Sequence, residues 1–351
     1  MGKFVESARM KRYDVIVVGA GVMGSATAWW LARSGARTLL LERFRLGHDR
    51  GSSQGSSRIF RLSYPDPVYV AMAQESMELW LQAEADTQEE LLVTTGGLDL
   101  GPGIEANHAA LRVCGARTEM LSAAELSHRF PFLRHEGPGV FQPDSGFVRA
   151  ERAWAAFQTL ARVHGAELRE ETVVEGIESS DDGAVVQTAT GSIECTVCVV
   201  TAGAWARALL TSAGIALDTR ATRETVSYFS YEGPPPPTVA EWVSPLRYAL
   251  PAPGLGLKAG EHLAGPTADP HETGSVDHDS SVRVGEWLAA LYPGVDASPH
   301  RSETCLYTNT PEEDFVLERH GPVVVGSPCS GHGFKFAPLI GKRLAELALE
   351  Q

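Results

Sequence analysis

A chain of 351 residues is long for one hydrophobic core and points to about two domains. Its 43% hydrophobic and 21% charged residues are ordinary for a soluble globular protein, while a formal net charge of -14 at pH 7 sets it against nucleic acid or an anionic membrane, either of which would repel it at long range. No apolar run approaches the ~20 residues that span a bilayer, and five scattered cysteines do not make a disulfide framework, so the expected location is a reducing cytoplasm.

The first twelve residues carry Lys3, Arg9, Lys11 and Arg12 with no apolar segment behind them, a loose basic extension rather than a signal peptide. Val15, Ile16, Val17 and Val18 then form a β-branched run suited to a strand buried on both faces. It breaks into Gly19, Gly21 and Gly24, in G-x-G-x-x-G spacing, and continues as a helix from Ser25 to Ala32. The first glycine makes the turn, the second lets a pyrophosphate approach the backbone, and the third lets helix and strand pack closely. A second strand, Thr38 to Leu41, ends in Glu42, an acid that can accept hydrogen bonds from an adenosine ribose and would repel the extra phosphate of NADP. The stretch is a dinucleotide site and does not by itself decide between NAD and FAD.

Arg50 to Tyr64 is a glycine- and serine-rich loop with arginines at 58 and 61, placed to wrap a bound cofactor. An amphipathic helix follows from Tyr69 to Ala85, with Met72, Ser76, Leu79 and Trp80 at helical spacing, and then a short strand over Gly96 to Leu100. Gly101 to Gln142 is polar and turn-rich, with one helical piece near Ala123 to Arg129. A helix over Ala150 to His164 stops at Gly165. Strands at Val173 to Ile177 and Ala184 to Thr188 are joined by a turn at Asp181, Asp182 and Gly183. Thr196 to Val200 is a further buried strand, ending in T-A-G-A-W. Cys195 and Cys198 have C-x-x-C spacing, but residues three apart on a strand face opposite sides, so no metal or redox site is expected there. Thr222 to Tyr231 is strand-like and runs into G-P-P-P-P, a rigid surface turn. Tyr248 to Pro253 and Leu255 to Gly260 are strands of a substrate-side sheet, Ser281 to Tyr292 a helix, and Thr304 to Thr308, Phe315 to Leu317 and Val323 to Val325 closing strands. S-G-H-G-F-K-F, Ser330 to Phe336, leads into a last helix ending at Leu349.

With its G-A-G-V-M-G, G-S-S-Q-G-S-S-R-I-F-R, T-A-G-A-W, G-L-K-A-G, T-C-L-Y-T and S-G-H-G-F-K-F segments in that order, the chain resembles the monomeric sarcosine oxidase family, flavoprotein amine oxidases of the D-amino-acid oxidase superfamily. The resemblance implies an α/β fold in which a Rossmann-like FAD-binding domain, 1–85, 145–220 and 300–351, is interleaved with a mixed-sheet α+β substrate domain, 86–144 and 221–299. It implies FAD joined covalently to Cys305, with further cofactor contacts from Arg43, Ser57, Arg58, Val173, Gly331, Gly333 and Lys335. Arg61 and Lys335 are the implied partners of a substrate carboxylate. Lys258 is implicated in reaction with oxygen, and Arg58, Tyr248 and His262 complete the catalytic set. Gln54 stands where a histidine is common, and the family's usual extension after the last helix does not follow in the sequence, which stops at Gln351.

The expected activity is oxidation of a secondary, N-methyl amino acid such as sarcosine by O2, giving an imine and hydrogen peroxide. N-methyltryptophan, pipecolate and another cyclic imino acid are alternative substrates. An NAD-dependent dehydrogenase would leave Cys305, Lys258 and the arginine pair without a role, and a flavin-binding protein that has lost catalysis would not need both lysines. No nucleic acid, membrane or metal is expected as partner, and the expected state is a monomer.

Overall fold

The computed structural model describes residues 12–350, so the basic stretch holding Lys3, Arg9 and Lys11 lies outside the described residues. The strand Tyr13–Val18 is central to an eight-stranded sheet. It runs parallel to Thr38–Leu41 on one side and to Gly191–Val200 on the other, with Val15 to Val18 opposite Thr38 to Leu41 and Val197 to Val200. Helices cover one face of this sheet and apolar loops and a short helix the other, so the β-branched run is buried on both sides and needs no polar alternation. The hairpin Val174–Ser180 and Gly183–Thr188 extends one edge, Glu167–Arg169 the other, and Val323–Ser327 adds in parallel with the end of Gly191–Val200.

A second eight-stranded sheet is ordered Arg301–Asn309, Arg220–Phe229, Gly256–Glu261, Arg247–Ala252, Thr238–Glu241, Gly97–Leu100, Gly139–Gln142, Glu119–Leu121. Its pairs are antiparallel except for Thr238–Glu241 with Gly97–Leu100, and the helix His278–Leu291 packs its Val284, Trp287 and Leu288 against it. Ser57–Phe60, Gly146–Arg149 and Leu92–Thr94 form a separate small antiparallel sheet. The architecture is the expected α/β one with a mixed second sheet. Arg301–Asn309 hydrogen-bonds along its length to Arg220–Phe229, so a boundary at 300 falls ahead of a strand that belongs to the second sheet by pairing.

Several local expectations change. Part of the glycine-serine loop is the strand Ser57–Phe60, because its backbone finds partners in Gly146–Arg149, far away in sequence. The polar stretch after Gly101 contains the helix Ile104–Val113 as well as Ala123–Arg129, and the strands Glu119–Leu121 and Gly139–Gln142. Leu92–Thr94, Glu167–Arg169 and Thr238–Glu241 are too short to show a period of their own. The last helix, Ala337–Leu349, is preceded by a 3₁₀ turn over Phe334–Phe336. Cys195 and Cys198 are free thiols, both buried in one apolar cluster. No helix among the described residues is long and apolar enough to cross a membrane.

Candidate active site

A cavity of about 920 Å³ runs from the ends of the first sheet's central strands to the second sheet, near the upper end of the roughly 300–1,000 Å³ usual for ligand pockets. At its first end, Gly19 turns the chain out of the strand with φ +99°, and a Cβ there would lie 2.7 Å from Thr201 O. Gly24 does not line the cavity; a Cβ on it would meet Gly19 O at 1.9 Å, so its absence of a side chain sets how closely helix and strand pack. Gly21 caps the helix Val22–Arg33 without a side-chain bond, and the Ser53 hydroxyl accepts from the Val22 amide at 3.0 Å.

Glu42 is buried; its Oε2 accepts from the Ala20 amide at 2.9 Å and its Oε1 from the Phe44 amide at 3.0 Å, with His48 Nε2 3.5 Å from that same Oε1. Burial pushes its carboxyl up, but the hydrogen bonds from His48, Phe44 and Ala20 outweigh that and hold it below the usual carboxylate range. An ionised carboxylate has about four lone-pair sites, so Glu42 retains capacity for ribose hydroxyls. Arg43 stacks on Phe44 and Trp205 at 4.9 and 5.1 Å, and Val173 lies on the same cavity wall.

The second sheet supplies Lys258, Tyr248 and Cys305 to the same cavity. Lys258 is 3% exposed, with Nζ 3.4 Å from Ser57 O and 4.0 Å from Glu303 Oε1. Burial, and then the Arg58 guanidinium, pull its ammonium down to about 7, against the opposing pull of Glu303, Cys305 and Glu151. Arg58 is held by three carbonyls, those of Ser57, Ser52 and Gln54, at 2.9, 3.0 and 2.6 Å. Burial pushes the Cys305 thiol up, with Arg58 and Lys258 pulling the other way. The half-buried Tyr248 stands beside Cys305 and Tyr307, and desolvation pushes its phenol up. Gln54 donates to Thr304 O at 3.2 Å and leaves its own side-chain oxygen buried without a partner among the described residues.

The remaining wall comes from opposite ends of the chain. Lys335 is 4% exposed and donates to Tyr64 OH at 2.8 Å and His332 O at 2.6 Å. Burial and the nearby Arg61 hold its ammonium well below the usual lysine range. Arg61 lies over the Tyr64 ring at 4.0 Å and the Trp242 ring at 5.1 Å, and donates to Ser63 O. Among the described residues neither cation is ion-paired. His262 lies 3.5 Å from Glu313, and Gly331, at φ +71°, passes so close beneath Tyr307 and His262 that a Cβ would fall 2.2 and 2.6 Å from their rings. A Cβ on Gly333 would meet Pro328 O at 1.6 Å.

The cavity therefore collects every candidate cofactor, substrate and catalytic residue named from the sequence except Gly24. Tyr64, Trp205 and His332 also line it, and each sits inside a motif already singled out; what the motifs did not show is the tertiary contact that gives each a role. Trp242 has no such signal. The residues present fit a large polar cofactor: Arg43 Nε, Trp205 Nε1, Thr308 Oγ1 and Ser327 Oγ are buried on the cavity wall with no hydrogen-bond partner among the described residues.

Comparison with known proteins agrees with this geometry. Residues 14–347 match the family described as FAD dependent oxidoreductase. A monomeric sarcosine oxidase of Arthrobacter sp. is 32% identical over 97% of this chain and 93% of its own length. An N-methyl-L-tryptophan oxidase of Salmonella heidelberg is 29% identical over 96% and 95%. The solved structure of NikD, described as an unusual amino acid oxidase essential for nikkomycin biosynthesis, superposes with a TM-score of 0.86 at 30% identity, covering 97% of this chain and 94% of that one. By sequence, fold and the make-up of its cavity, this chain belongs to the FAD-dependent oxidoreductase family and is an enzyme of the sarcosine oxidase group within it.

Proposed function

We propose that the protein oxidises the C–N bond of a secondary, N-methyl amino acid such as sarcosine, with O2 as electron acceptor. When bound, FAD takes two electrons with two protons from the amine and delivers them to O2, so that the amine becomes an imine, which water hydrolyses, and O2 becomes H2O2. Gly19, Gly21 and the amides opening the helix Val22–Arg33 would hold the pyrophosphate and Glu42 the ribose. Arg43, Ser57, Arg58, Val173, Gly331, Gly333 and Lys335 would supply further contacts, and Cys305 the covalent link.

The observation that carries the substrate class is the pair Arg61 and Lys335. Two cations facing one cavity repel each other, and Lys335 is held below its usual range for that reason as well as by burial. A carboxylate between them relieves the repulsion and makes charge-assisted hydrogen bonds. The fork of Arg61 can take both carboxylate oxygens and so orient the α-carbon, whereas Lys335 supplies a point charge. Lys258 carries a positive charge into a water-poor wall, where it stabilises negative charge developing on O2. Tyr248 and His262 line the substrate side. A bulkier N-methyl or cyclic amino acid is the alternative, favoured by the aromatic wall of Tyr64, Tyr69, Trp242 and His332. The same proposal includes a monomer, supported by the similarity to monomeric sarcosine oxidases, acting in a reducing cytoplasm.

The test is an oxygen-uptake screen over N-methyl and cyclic amino acids, each paired with the amine that lacks its carboxylate. Turnover confined to the amino acids is expected. Equal turnover of the decarboxylated amines would remove the carboxylate clamp and the substrate class with it.

A further inference from the structure

Between the two cations of the clamp stands one side chain, Tyr64, 6% exposed and on the cavity wall. Its ring lies beneath the Arg61 guanidinium at 4.0 Å, and its hydroxyl is 2.8 Å from Lys335 Nζ and 3.1 Å from His332 Nδ1. Hydrogen-bond capacity fixes the direction of each bond. In the charged form that a carboxylate would meet, Lys335 has only donors, so the phenol oxygen accepts from it. The phenol proton is then free to go to His332 Nδ1, which must be an unprotonated acceptor. His332 carries its own proton on Nε2 and donates it to the Glu313 carbonyl at 3.0 Å.

We infer that Tyr64 is the positioning residue of the carboxylate site: its ring carries Arg61, its hydroxyl holds Lys335, and the Glu313 carbonyl, through the tautomer of His332, fixes that hydroxyl. The inference rests on the carboxylate clamp proposed above. The charge states agree with it. Burial, and then Lys335, push the His332 imidazolium down to about 2, so the ring is neutral, and burial pushes the Tyr64 phenol up to about 12, so it keeps its proton. Lys335 faces Arg61 and His332, and the Glu313 and Asp314 carboxylates stand on the adjacent loop, bonded to His262 and Tyr69 rather than to Lys335. Asp99 is buried within electrostatic reach of Arg61, and burial pushes its carboxyl up while Arg61 pulls it the other way. The Tyr64 hydroxyl is therefore the side-chain acceptor that favours the charged form of Lys335.

Tyr64→Phe keeps the platform under Arg61 and removes the acceptor from Lys335. Acetate, a carboxylate without an amine, is titrated calorimetrically into the holoenzyme of wild type, Tyr64→Phe, Tyr64→Leu, Arg61→Ala and Lys335→Ala across neutral to alkaline pH. Loss of a hydrogen bond to a charged group predicts acetate binding ~10- to 10²-fold weaker in Tyr64→Phe. Acetate affinity should also fall away at lower pH than in wild type, since Lys335 gives up its proton more readily, and KM should rise with little change in kcat. Tyr64→Leu, which also removes the platform, should lose more affinity and lower kcat. If Arg61→Ala and Lys335→Ala weaken acetate binding but Tyr64→Phe does not, or weakens it with the pH profile unmoved, Tyr64 is not the positioning residue while the clamp stands. If neither cation variant weakens acetate binding, the clamp falls and the role of Tyr64 with it.

Discussion

Lys258 shows how much of a side chain's chemistry lies in neighbours that its own motif does not contain. Burial and Arg58 lower its ammonium to about 7, and Glu303 is the first of the groups pulling it back up. Glu303 is itself tied down, accepting from the Tyr228 hydroxyl at 2.5 Å and from Arg301 at 3.0 Å. The folded pKa is below the ordinary lysine value, so the charged form is present below about 7 and is lost as pH rises through it. If that charge assists O2, reoxidation of the reduced enzyme should slow as pH rises through this range. Glu303→Gln removes an upward pull, so the midpoint should move to lower pH by on the order of one unit. Stopped-flow reoxidation across pH checks it; an unmoved or raised midpoint would separate Glu303 from Lys258. Lys258→Met should slow reoxidation ~10²- to 10³-fold and leave anaerobic reduction by substrate much less changed. Equal losses in both half-reactions would make the lysine a binding or folding residue. Lys258 was legible because a lysine in an apolar strand is unusual. Glu303 was not, although it lies two residues before Cys305 on one strand: its meaning depends on register, which sets Tyr228 directly opposite both Lys258 and Arg301.

At the scale of elements, sequence pattern succeeded where burial imposes a period and failed where pairing alone makes the structure. The strand Thr38–Leu41 and the helical piece near Ala123 to Arg129 stand where the sequence placed them; all four residues of the first are buried, and in the structure Ser122 and Glu125 close the start of the second with a capping box. Ser57–Phe60 read as loop, since a glycine- and serine-rich stretch has little strand propensity and its partner is distant. That small sheet matters to the site, because it presents Ser57 O to Lys258 and sets Arg58 and Arg61 on the cavity wall. Its weakest tolerance is at Gly146, where a Cβ would lie 2.0 Å from Val93 O and 2.9 Å from Thr95 N. These are backbone atoms of the neighbouring chain segment and cannot swing away as a flexible side chain can. Gly146→Ala should therefore cost about 1–3 kcal/mol and lower the occupancy of the cofactor. Gly165→Ala, at φ +98° with nothing within 4 Å, is the contrast: it meets backbone strain of about 1–2 kcal/mol without disturbing the site. Urea denaturation and the flavin-to-protein absorbance ratio of both variants measure this; full flavin occupancy in Gly146→Ala would show that the small sheet does not build the site.

For the molecule as a whole, the cavity is where the two large sheets meet, and a cofactor held there would belong to both. Gly19, Glu42 and Thr201 come from the first sheet and its turns, while Tyr248, Lys258 and Cys305 come from the second. Their interleaving along the chain was readable because the dinucleotide turn and the later closing strands stand far apart with other material between them. The membership of Arg301–Asn309 in the second sheet was not, since an isolated strand carries no mark of its partner. That membership places Cys305 on the sheet opposite the dinucleotide turn, so a covalent bond at Cys305 would tether to the second sheet a cofactor whose other end sits on the first. A non-covalent cofactor stabilises the fold by mass action, by about 2.7 kcal/mol at a free concentration 100 times its Kd, whereas a tethered one is present at every concentration of free FAD. Cys305→Ala should thus remain foldable and able to bind FAD, but its Tm should climb with added FAD while that of wild type stays level. Acid precipitation of loaded wild type should leave the yellow colour in the pellet, and the same treatment of Cys305→Ala should release it. Release of all the flavin from fully loaded wild type, or a wild-type Tm that follows free FAD as the variant's does, would mean that Cys305 is a cavity-lining thiol and that the two sheets share a cofactor held by hydrogen bonds alone.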